Sequence, residues 1–390
     1  MIEIIKKTVQ LIVGFLVYIL NPFFSVRKNR WVLGASKGEN FNEGSKYILE
    51  YINSFDSGID AVWITQNKAI KRQIRDRGHK CYLNTDLKAL SYILTSEVVI
   101  TCTSFGTDIN YCFPKKNRKY VYLAHGMPIK KIIYDQPARL NIPKSKLRHF
   151  FYHKFVAAFK ISDLNLITST SDYYTPFLQS AFKSNAVEAI GLPRNDALLN
   201  PKYLEKEKWL TGIEGKFVIT YMPTHRDYGN GKVSPFLFEG NENVNKFFEE
   251  NNIVLLIKNH PNMVSKIIDG KNTNNILEIS KMGFDAQKVI FHTDLLITDF
   301  SSVWIDYLLL KRPVLFYLYD NYEQEDNDTY FDIRKANIGE ICLTEEGLYE
   351  MIFKIFKNYD SYRPTQELIN IHHKFIDDKS CERLYKILIE

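Results

Sequence analysis

A histidine that directly follows a hydrophobic strand is the side chain in this sequence best placed to do chemistry. The run YVYLA at residues 120–124 predicts a buried strand, and the segment HGMPIKK at residues 125–131 follows it. Ligands bind at the carboxyl ends of parallel strands, so the imidazole of His125 should face a ligand. Because an imidazole titrates near neutral pH, we predict that His125 is a general base. Lys130, in the same segment, is predicted to contact the substrate.

A second polar cluster, GLPRND at residues 191–196, follows the predicted strand VEAI. The guanidinium of Arg194 has the donor geometry to hold a phosphate, and Asp196 is predicted to orient it. An ordinary salt bridge at the end of a strand is the alternative interpretation of this pair.

Three further polar segments follow hydrophobic strands in the second half of the chain: YMPTHR at 221–226, KNHP at 258–261 and TDFSS at 298–302. Parallel strands would bring these segments to one edge of a sheet, where cations, imidazoles and hydroxyls are typical of a pyrophosphate pocket. Ser301 and Ser302 open a predicted helix whose N–H groups can hold an anion, with plain helix capping as the alternative. The predicted ligand contacts here are Thr224, Arg226, Lys258, His260, Asp299, Ser301, Ser302 and Asp306.

Two acidic residues in this half have more specific predicted roles. Asp299 is expected to orient His260 or Arg226. Asp306 is expected to reach a ribose hydroxyl, although an acid in the first turn of a helix also stabilises the helix dipole. The glycine-rich stretch Gly34 to Gly44 matches neither a dinucleotide-binding fingerprint nor a Walker loop, which favours a tight turn over a phosphate loop.

The elements that must position these side chains alternate between short hydrophobic strands and amphipathic helices, first over residues 30–125 and again from residue 217. This alternation is typical of a doubly wound parallel sheet. We predict an α/β fold with two Rossmann-like domains facing a cleft, the glycosyltransferase-B type. The predicted parts are a membrane-associating segment at 1–29, an N-terminal domain at 30–200 with a basic insert at 136–162, a C-terminal domain at 216–365 and a C-terminal helix at 366–390.

Charge is divided unevenly along the chain. Residues 1–160 contain 26 Lys and Arg against 11 Asp and Glu, a net +15, whereas the remainder has 25 against 34, a net −9. A basic half attached to an acidic half indicates that one domain faces an anionic surface, either nucleic acid or phospholipid. Five cysteines without metal-site spacing favour a reducing, cytosolic compartment.

Two segments favour phospholipid. The apolar stretch Val9 to Phe24 has basic residues on both sides and is shorter than the ~20 residues that a spanning helix needs. We interpret it as a monotopic element, with a core helix or a true anchor as alternatives. Residues 136–162 contain no Asp or Glu, and their Lys and Arg alternate with aromatics, as in an interfacial helix. A basic solvated face over a core helix is the alternative. We therefore predict an anionic membrane surface as a partner and no nucleic acid.

Taken in order, the motifs HGMPIK, GLPRND, YMPTHR, KNHP, ITDFSSVWID and RPVLFYLYD resemble those of the CDP-glycerol glycerophosphotransferase family, the teichoic acid primases and polymerases. The resemblance extends from Trp31 to Asp332. It implies transfer of glycerol phosphate from CDP-glycerol to a hydroxyl of a lipid-linked acceptor, with release of CMP, in teichoic acid or related cell-surface polymer synthesis.

The resemblance also implies roles for the parts of the chain. The N-terminal domain would take the undecaprenyl-diphosphate-linked acceptor, the C-terminal domain would take the donor, and the enzyme would lie peripherally at the cytoplasmic face of the cell membrane. His125 would be the catalytic base, and His260, the second catalytic candidate, would hold the donor pyrophosphate. Met127 stands where the family usually has threonine, and Asn337-Ile338-Gly339 stands where a Gly-Pro is expected. These departures leave CDP-ribitol open as the donor.

Two other functions compete with this one. A nucleotide-sugar glycosyltransferase of the same fold would release UDP rather than CMP. A non-enzymatic binder of nucleic acid or anionic lipid would need a basic groove without histidines at strand ends. Because no cluster of Asp and Glu recommends a bound metal, we predict no metal and no cofactor, with arginine, lysine and a helix terminus neutralising the developing charge.

Overall fold

The computed structural model describes residues 2–104, 106–136, 145–157, 160–205, 208–224, 242–259, 275–319 and 328–390. The chain divides into two compact units. The first contains residues 1–127, 132–200 and 374–390, and the second contains residues 128–131 and 201–373. The main crossing from one unit to the other therefore occurs after Asn200.

Among its described residues, the first unit contains a sheet of seven parallel strands in the order β3-β2-β1-β4-β5-β6-β7. The strands are β1 (Arg30–Leu33), β2 (Asp60–Thr65), β3 (Cys81–Leu83), β4 (Val98–Thr101), β5 (Lys119–Tyr122), β6 (Leu166–Ser169) and β7 (Val187–Ala189). The order reverses between the neighbours β1 and β4, and ligands of doubly wound sheets bind outside the carboxyl ends of strands at such a switch point.

Helices connect these strands. They are α1 (Ile2–Leu20), α2 (Glu43–Ile52), α3 (Lys68–Asp76), α4 (Leu87–Thr95), α5 (Lys146–Phe155), α6 (Thr175–Phe182) and α7 (Asp196–Leu199). Local sequence explains several of their boundaries. For example, α3 begins after Asn67, whose side-chain oxygen accepts the N–H groups of Ala69 and Ile70 and so caps the helix.

The second unit repeats the arrangement. In the part of it that the structure describes, six parallel strands lie in the order β10-β9-β8-β11-β12-β13. They are β8 (Phe217–Met222), β9 (Ile253–Ile257), β10 (Ile276–Glu278), β11 (Leu295–Thr298), β12 (Val314–Tyr317) and β13 (Glu340–Cys342). The switch point lies between β8 and β11. The predicted α/β class with parallel sheets is confirmed, although β13 was not predicted, because its three residues carry too short a hydrophobic pattern.

The helices of the second unit are α8 (Glu242–Glu250), α9 (Ala286–Phe291), α10 (Val303–Tyr307), α11 (Glu345–Lys357) and α12 (Gln366–His372). Every residue of β9, β11 and β12 is buried, as expected for central strands covered on both faces. Their continuous apolar runs were therefore the strongest strand signals in the sequence.

The prediction of one C-terminal helix over residues 366–390 is wrong. The structure has two helices there, α12 and α13 (Ser380–Ile389), and α13 lies in the first unit. The break has a clear cause, because the carboxylate of Asp196 accepts the backbone N–H groups of Ser380 and Cys381 at 2.9 and 2.8 Å. These bonds satisfy the amino terminus of a new helix, which a continuous helix would not expose.

The predicted membrane-associating segment forms part of the first unit. One face of α1 packs into it through Val17, which shares a buried cluster with Tyr111, Phe113 and Val156. A side chain at Gly14 would place its Cβ 2.0 Å from the carbonyl oxygen of Phe155, so glycine allows α1 to lie against α5. Within the described residues, no helix has both the length and the apolar character needed to cross a bilayer.

Candidate functional site

His125 follows β5, as the sequence predicts, and it projects from a buried backbone. Leu123 and Ala124 are buried, whereas the His125 side chain is 58% exposed. Its Nδ1 lies 3.1 Å from Oε1 of Glu43. An imidazole held through Nδ1 keeps Nε2 available to accept a proton, which is the arrangement that a general base requires.

Glu43, which the sequence analysis did not single out, is the partner of His125 in this contact. It is the first residue of α2, and its side chain is only 11% exposed. Its second oxygen, Oε2, accepts a hydrogen bond from Arg194 Nη1 at 2.6 Å. Burial alone would raise the pKa of Glu43, but His125 and Arg194 outweigh that effect and lower the pKa to about 2. Glu43 is therefore ionised at any physiological pH.

The carboxylate of Glu43 also sets the state of His125. Its negative charge raises the pKa of His125 above the usual value near 6.5, against the opposing effects of desolvation by the surrounding protein and of the Arg194 charge. The imidazole is thus a stronger base than a free histidine side chain.

Arg194 lies at the site, and the hydrogen bonds described for its guanidinium are made to other residues of the protein. Its guanidinium donates to Glu43 and to the carbonyl oxygen of His125, and its side chain is 9% exposed. The predicted orienting role of Asp196 is not observed. Its carboxylate instead accepts hydrogen bonds from the amino terminus of α13, as described above. The turn at Pro193–Asn195 directs Asp196 into the interior.

The glycine-rich stretch after β1 is a structured turn, in agreement with the favoured interpretation. The carboxylate of Asp108, which follows β4, accepts the backbone N–H groups of Lys37, Cys102, Thr103 and Ser104 at 2.8–3.2 Å. An internal carboxylate therefore occupies the N–H groups that could otherwise bind an anion at this switch point.

Backbone strain accumulates in the same turn. Ser36, Lys37 and Glu43 have φ angles of 49°, 56° and 62°, in the left-handed region that disfavours residues with a side chain. Each such residue costs on the order of 1–3 kcal/mol, and strain of this kind clusters at functional sites. The turn that places Glu43 beside His125 therefore has an unfavourable backbone conformation. No sequence pattern indicated this strain.

In the second unit, the described residues Thr224, Lys258 and Asp299 follow β8, β9 and β11, which are neighbours in the sheet. Across the switch point, the backbone N–H of Thr224 donates to Asp299 Oδ1 at 2.8 Å, and the Thr224 hydroxyl donates to the same atom. Asp299 is fully buried. It therefore joins Thr224, two residues after β8, to the segment that follows β11.

Lys258 and the serine pair lie beside this contact. Lys258 follows β9, and burial lowers its pKa, with partial compensation by Asp285 and Glu278. Ser302 is the residue that precedes α10, and its side chain makes no capping hydrogen bond. Ser301 and Ser302 are both partly exposed. Capping by the Ser302 side chain, the alternative explanation for the serine pair, is therefore not observed.

The structure says less about the remaining predicted site residues. Asp306 is 2% exposed within α10, so its role toward a ribose hydroxyl stays a prediction. Arg226 and His260 lie outside the described residues. Lys130 belongs to the second unit, where its backbone forms an antiparallel bridge with Thr329. Across the described part of the chain, no group of three or more His, Cys, Asp or Glu side chains could hold a metal ion.

Met127, one of the noted departures, is a core residue. It is 1% exposed, and its sulfur accepts hydrogen bonds from the Ser169 hydroxyl at 3.6 Å and the Thr170 N–H at 3.4 Å. Methionine is larger and more apolar than the threonine usual in the family, so it packs in the core beneath His125, and its sulfur still accepts hydrogen bonds.

Three comparisons relate this chain to known proteins. A family model described as CDP-glycerol:poly(glycerophosphate) glycerophosphotransferase matches residues 16–390. A teichoic acid poly(glycerol phosphate) polymerase of Bacillus spizizenii is 29% identical over 348 residues, which are 84% of this chain and 84% of that protein. A protein of the same name from Staphylococcus epidermidis is 27% identical over 355 residues, which are 87% of this chain and 47% of that protein. The chain thus spans about half the length of the S. epidermidis relative.

A solved structure is also similar. The wall teichoic acid polymerase TagF, in a structure with CDPG, superimposes with a TM-score of 0.74 at 22% sequence identity, covering 100% of this chain and 98% of that chain. At this identity the similarity concerns the fold.

Proposed function

Because the chain belongs to the CDP-glycerol:poly(glycerophosphate) glycerophosphotransferase family, we propose that it transfers glycerol phosphate from CDP-glycerol to a hydroxyl group of a lipid-linked acceptor, in teichoic acid or related cell-surface polymer synthesis. The match to the family model confirms both the family that the six sequence motifs indicated and the expected class of enzyme. The structural observation that carries the proposal is His125, an accessible imidazole with its Nδ1 on a buried carboxylate.

The reaction is an in-line displacement. The acceptor hydroxyl loses its proton to Nε2 of His125 as its oxygen attacks the β-phosphorus of CDP-glycerol, and the bond from that phosphorus to the CMP oxygen breaks with both electrons leaving on CMP. Catalysis of this step depends mainly on positioning and on neutralising the charge that develops on the phosphoryl oxygens. His125 supplies the base, and the donor-binding groups supply the neutralisation.

We assign the donor to the edge of the second sheet between β8 and β11. The partly exposed Ser301 and Ser302, the loop held by Thr224 and Asp299, and Lys258 support this assignment. A pyrophosphate beside Lys258 would offset the burial that lowers the pKa of this residue, so anion binding and lysine protonation would reinforce each other. Arg226 and His260 complete the proposed pocket, with CDP-ribitol as the alternative donor.

Since the base belongs to the first unit and the donor pocket to the second, transfer requires the two to meet. We therefore retain the proposal of a glycosyltransferase-B type cleft, with the acceptor on the first unit and the donor on the second. The topological switch point of each sheet, where such folds bind ligands, supports this division.

The acceptor is proposed to be linked to undecaprenyl diphosphate and to be reached from the cytoplasmic face of the membrane. The outer faces of α1 and α5 support peripheral attachment. Phe15 of α1 packs edge-to-face on Phe155 of α5 at 5.5 Å, and apolar side chains around this contact are exposed. They include Val9, Ile12, Leu16, Ile19, Leu20, Phe23, Leu147, Phe150 and Phe151. An exposed apolar surface flanked by lysines is typical of an interfacial element.

A cavity at the carboxyl end of α1 adds to this surface. Its volume is about 640 Å³, and three lysines (Lys28, Lys115 and Lys116) and one carboxylate (Glu97) line it together with Phe24. Burial, with a contribution from the nearby Arg118, lowers the pKa of Lys115 to about 8. A lipid phosphate there would favour the charged form of Lys115, so the cavity suits an anionic headgroup.

The decisive experiment uses the full chain with radiolabelled CDP-glycerol and an acceptor carrying a prenyl diphosphate. Release of CMP and an acceptor heavier by one glycerol phosphate are the expected results, with His125→Ala as the inactive control. Parallel reactions with CDP-ribitol and with UDP-sugars test the alternatives. Release of UDP without any release of CMP would favour the glycosyltransferase instead.

A further inference from the structure

The proposed base of the first unit, His125, forms a chain of three ionic side chains with Glu43 and Arg194. No single sequence motif contains all three. Glu43 Oε1 lies 3.1 Å from His125 Nδ1, and Glu43 Oε2 lies 2.6 Å from Arg194 Nη1. The two oxygens of one buried carboxylate therefore have different partners. A carboxylate that served only as an ion-pair partner for Arg194 would not need to present its other oxygen to an imidazole.

The backbone around Glu43 is arranged to hold this geometry. Glu43 has a φ angle of 62°, and the preceding turn is anchored by Asp108 and by a hydrogen bond from the Ser36 hydroxyl to Asn42 Oδ1 at 2.9 Å. A strained residue persists only where its surroundings impose its conformation, and such residues concentrate at functional sites. The strain at Glu43 therefore points to a function for its side chain.

We propose that Glu43 is the positioning residue for His125, and that Arg194 keeps Glu43 in place rather than binding the donor phosphate. This inference rests on the function proposed above. Glu43 accepts the Nδ1–H of His125, which fixes the tautomer with Nε2 unprotonated and facing the acceptor. When Nε2 takes the proton of the acceptor hydroxyl, the carboxylate stabilises the resulting imidazolium.

The charges around His125 give this proposal a distinctive pH dependence. Glu43 and Asp108 raise the pKa of His125, whereas Arg194 lowers it. Cys102 and Tyr122, which lie near Glu43, have raised pKa values and remain neutral. The base works only when it is unprotonated, so activity should rise with pH through the raised pKa of His125. Variants of Glu43 and Arg194 should therefore move this acid limb in opposite directions.

The test is the pH profile of kcat in three variants of the full chain. Glu43→Gln should shift the acid limb to lower pH, because the charge that raises the His125 pKa is gone. It should also lower the plateau by about 10²-fold, since an amide can donate to Nδ1 and place the proton on Nε2. Arg194→Gln should shift the limb to higher pH and leave the KM for CDP-glycerol unchanged. Glu43→Asp should keep the limb nearer to its original position than Glu43→Gln does.

Glu39→Gln is the matched control, because Glu39 is an exposed carboxylate in the same turn. It should change neither the limb nor the plateau. An acid limb that stays in place in Glu43→Gln, or an Arg194→Gln variant with a raised donor KM, would overturn the inference. The proposed function itself would fail if the wild-type chain released no CMP from CDP-glycerol, and full activity of His125→Ala would remove His125 as the base. Both outcomes are distinguishable from an unmoved acid limb in Glu43→Gln. Thermal unfolding of each variant identifies a loss that comes only from folding.

Discussion

The switch points of the two sheets carry an aspartate each, and the hydrogen bonds described for the two aspartates differ. In the first unit Asp108 accepts four backbone N–H groups from the loops after β1 and β4. In the second unit Asp299 accepts the N–H and hydroxyl of Thr224 and so joins the loops after β8 and β11. The first arrangement fills the anion-binding position with a protein carboxylate.

Under the proposed function, this difference is consistent with a base in the first unit and a donor pocket in the second. The backbone N–H groups at the first switch point donate to Asp108, so they are not available to a donor phosphate. The strained turn at this switch point instead places Glu43 beside His125. The second switch point keeps the partly exposed serines of the α10 amino terminus beside it. The two parallel sheets thus differ in the partners of one carboxylate each, and under the proposed function variants in the two units should fail in different kinetic parameters.

The largest expected effect is in the first unit. His125→Ala should lower kcat by about 10²- to 10⁴-fold, because it removes the general base. Calorimetric titration with a CDP ligand should show unchanged donor affinity, since donor binding is assigned to the other unit. Near-normal turnover by the folded variant would remove His125 from the mechanism and end the proposed division of labour.

A smaller effect is expected in the second unit. Asp299→Ala leaves the N–H of Thr224 without its acceptor, which costs about 1–3 kcal/mol, and it releases the loop that borders the donor pocket. The KM for CDP-glycerol should rise while the acid limb of the pH profile stays in place. Thr298→Val is the matched control, because this hydroxyl donates to the carbonyl oxygen of Met222 within the sheet. If both variants weakened donor binding equally, the effect would belong to the fold.

Membrane attachment should also distinguish the units. Replacing Lys146 and Lys154 of α5 with glutamine should weaken binding to anionic vesicles by about 2 kcal/mol, at roughly 1 kcal/mol per lysine near the surface. Added salt should reduce wild-type binding, because screening acts on the electrostatic part. Lys246 and Lys354 are exposed lysines of the second unit, and their glutamine variants are the controls. Flotation assays in which both pairs behave alike would contradict a membrane surface on the first unit.

The smallest effect concerns the strained turn. Lys37 has a φ angle of 56° and an exposed side chain, so Lys37→Gly should relieve strain while keeping the N–H that donates to Asp108. After the entropic cost of glycine, a net stabilisation of roughly 0.5 kcal/mol is expected in denaturant unfolding. Lys88→Gly, within α4, should instead destabilise by up to about 1 kcal/mol. Destabilisation by both variants would show that the turn is not strained at Lys37.

Much of the fold was predictable because its signals are local. The alternation of buried strands with amphipathic helices indicated both parallel sheets, and the position of polar residues directly after strands located His125, Thr224, Lys258 and Asp299. These signals depend only on hydrophobic period and on the rule that parallel strands end at one edge. The break between α12 and α13 was not local, since Asp196, far away in the sequence, creates it.

The sequence by itself determined which side chains reach the ligand edge of each sheet, because strand direction and strand order leave little choice. Only the tertiary structure decided their partners. Glu43 lies at the start of a helix and shows no motif, yet folding brings it to His125 and Arg194, which follow two other strands. The charge state of a base depends on groups within a few ångströms in space, and such proximity arises only once the sheet has assembled.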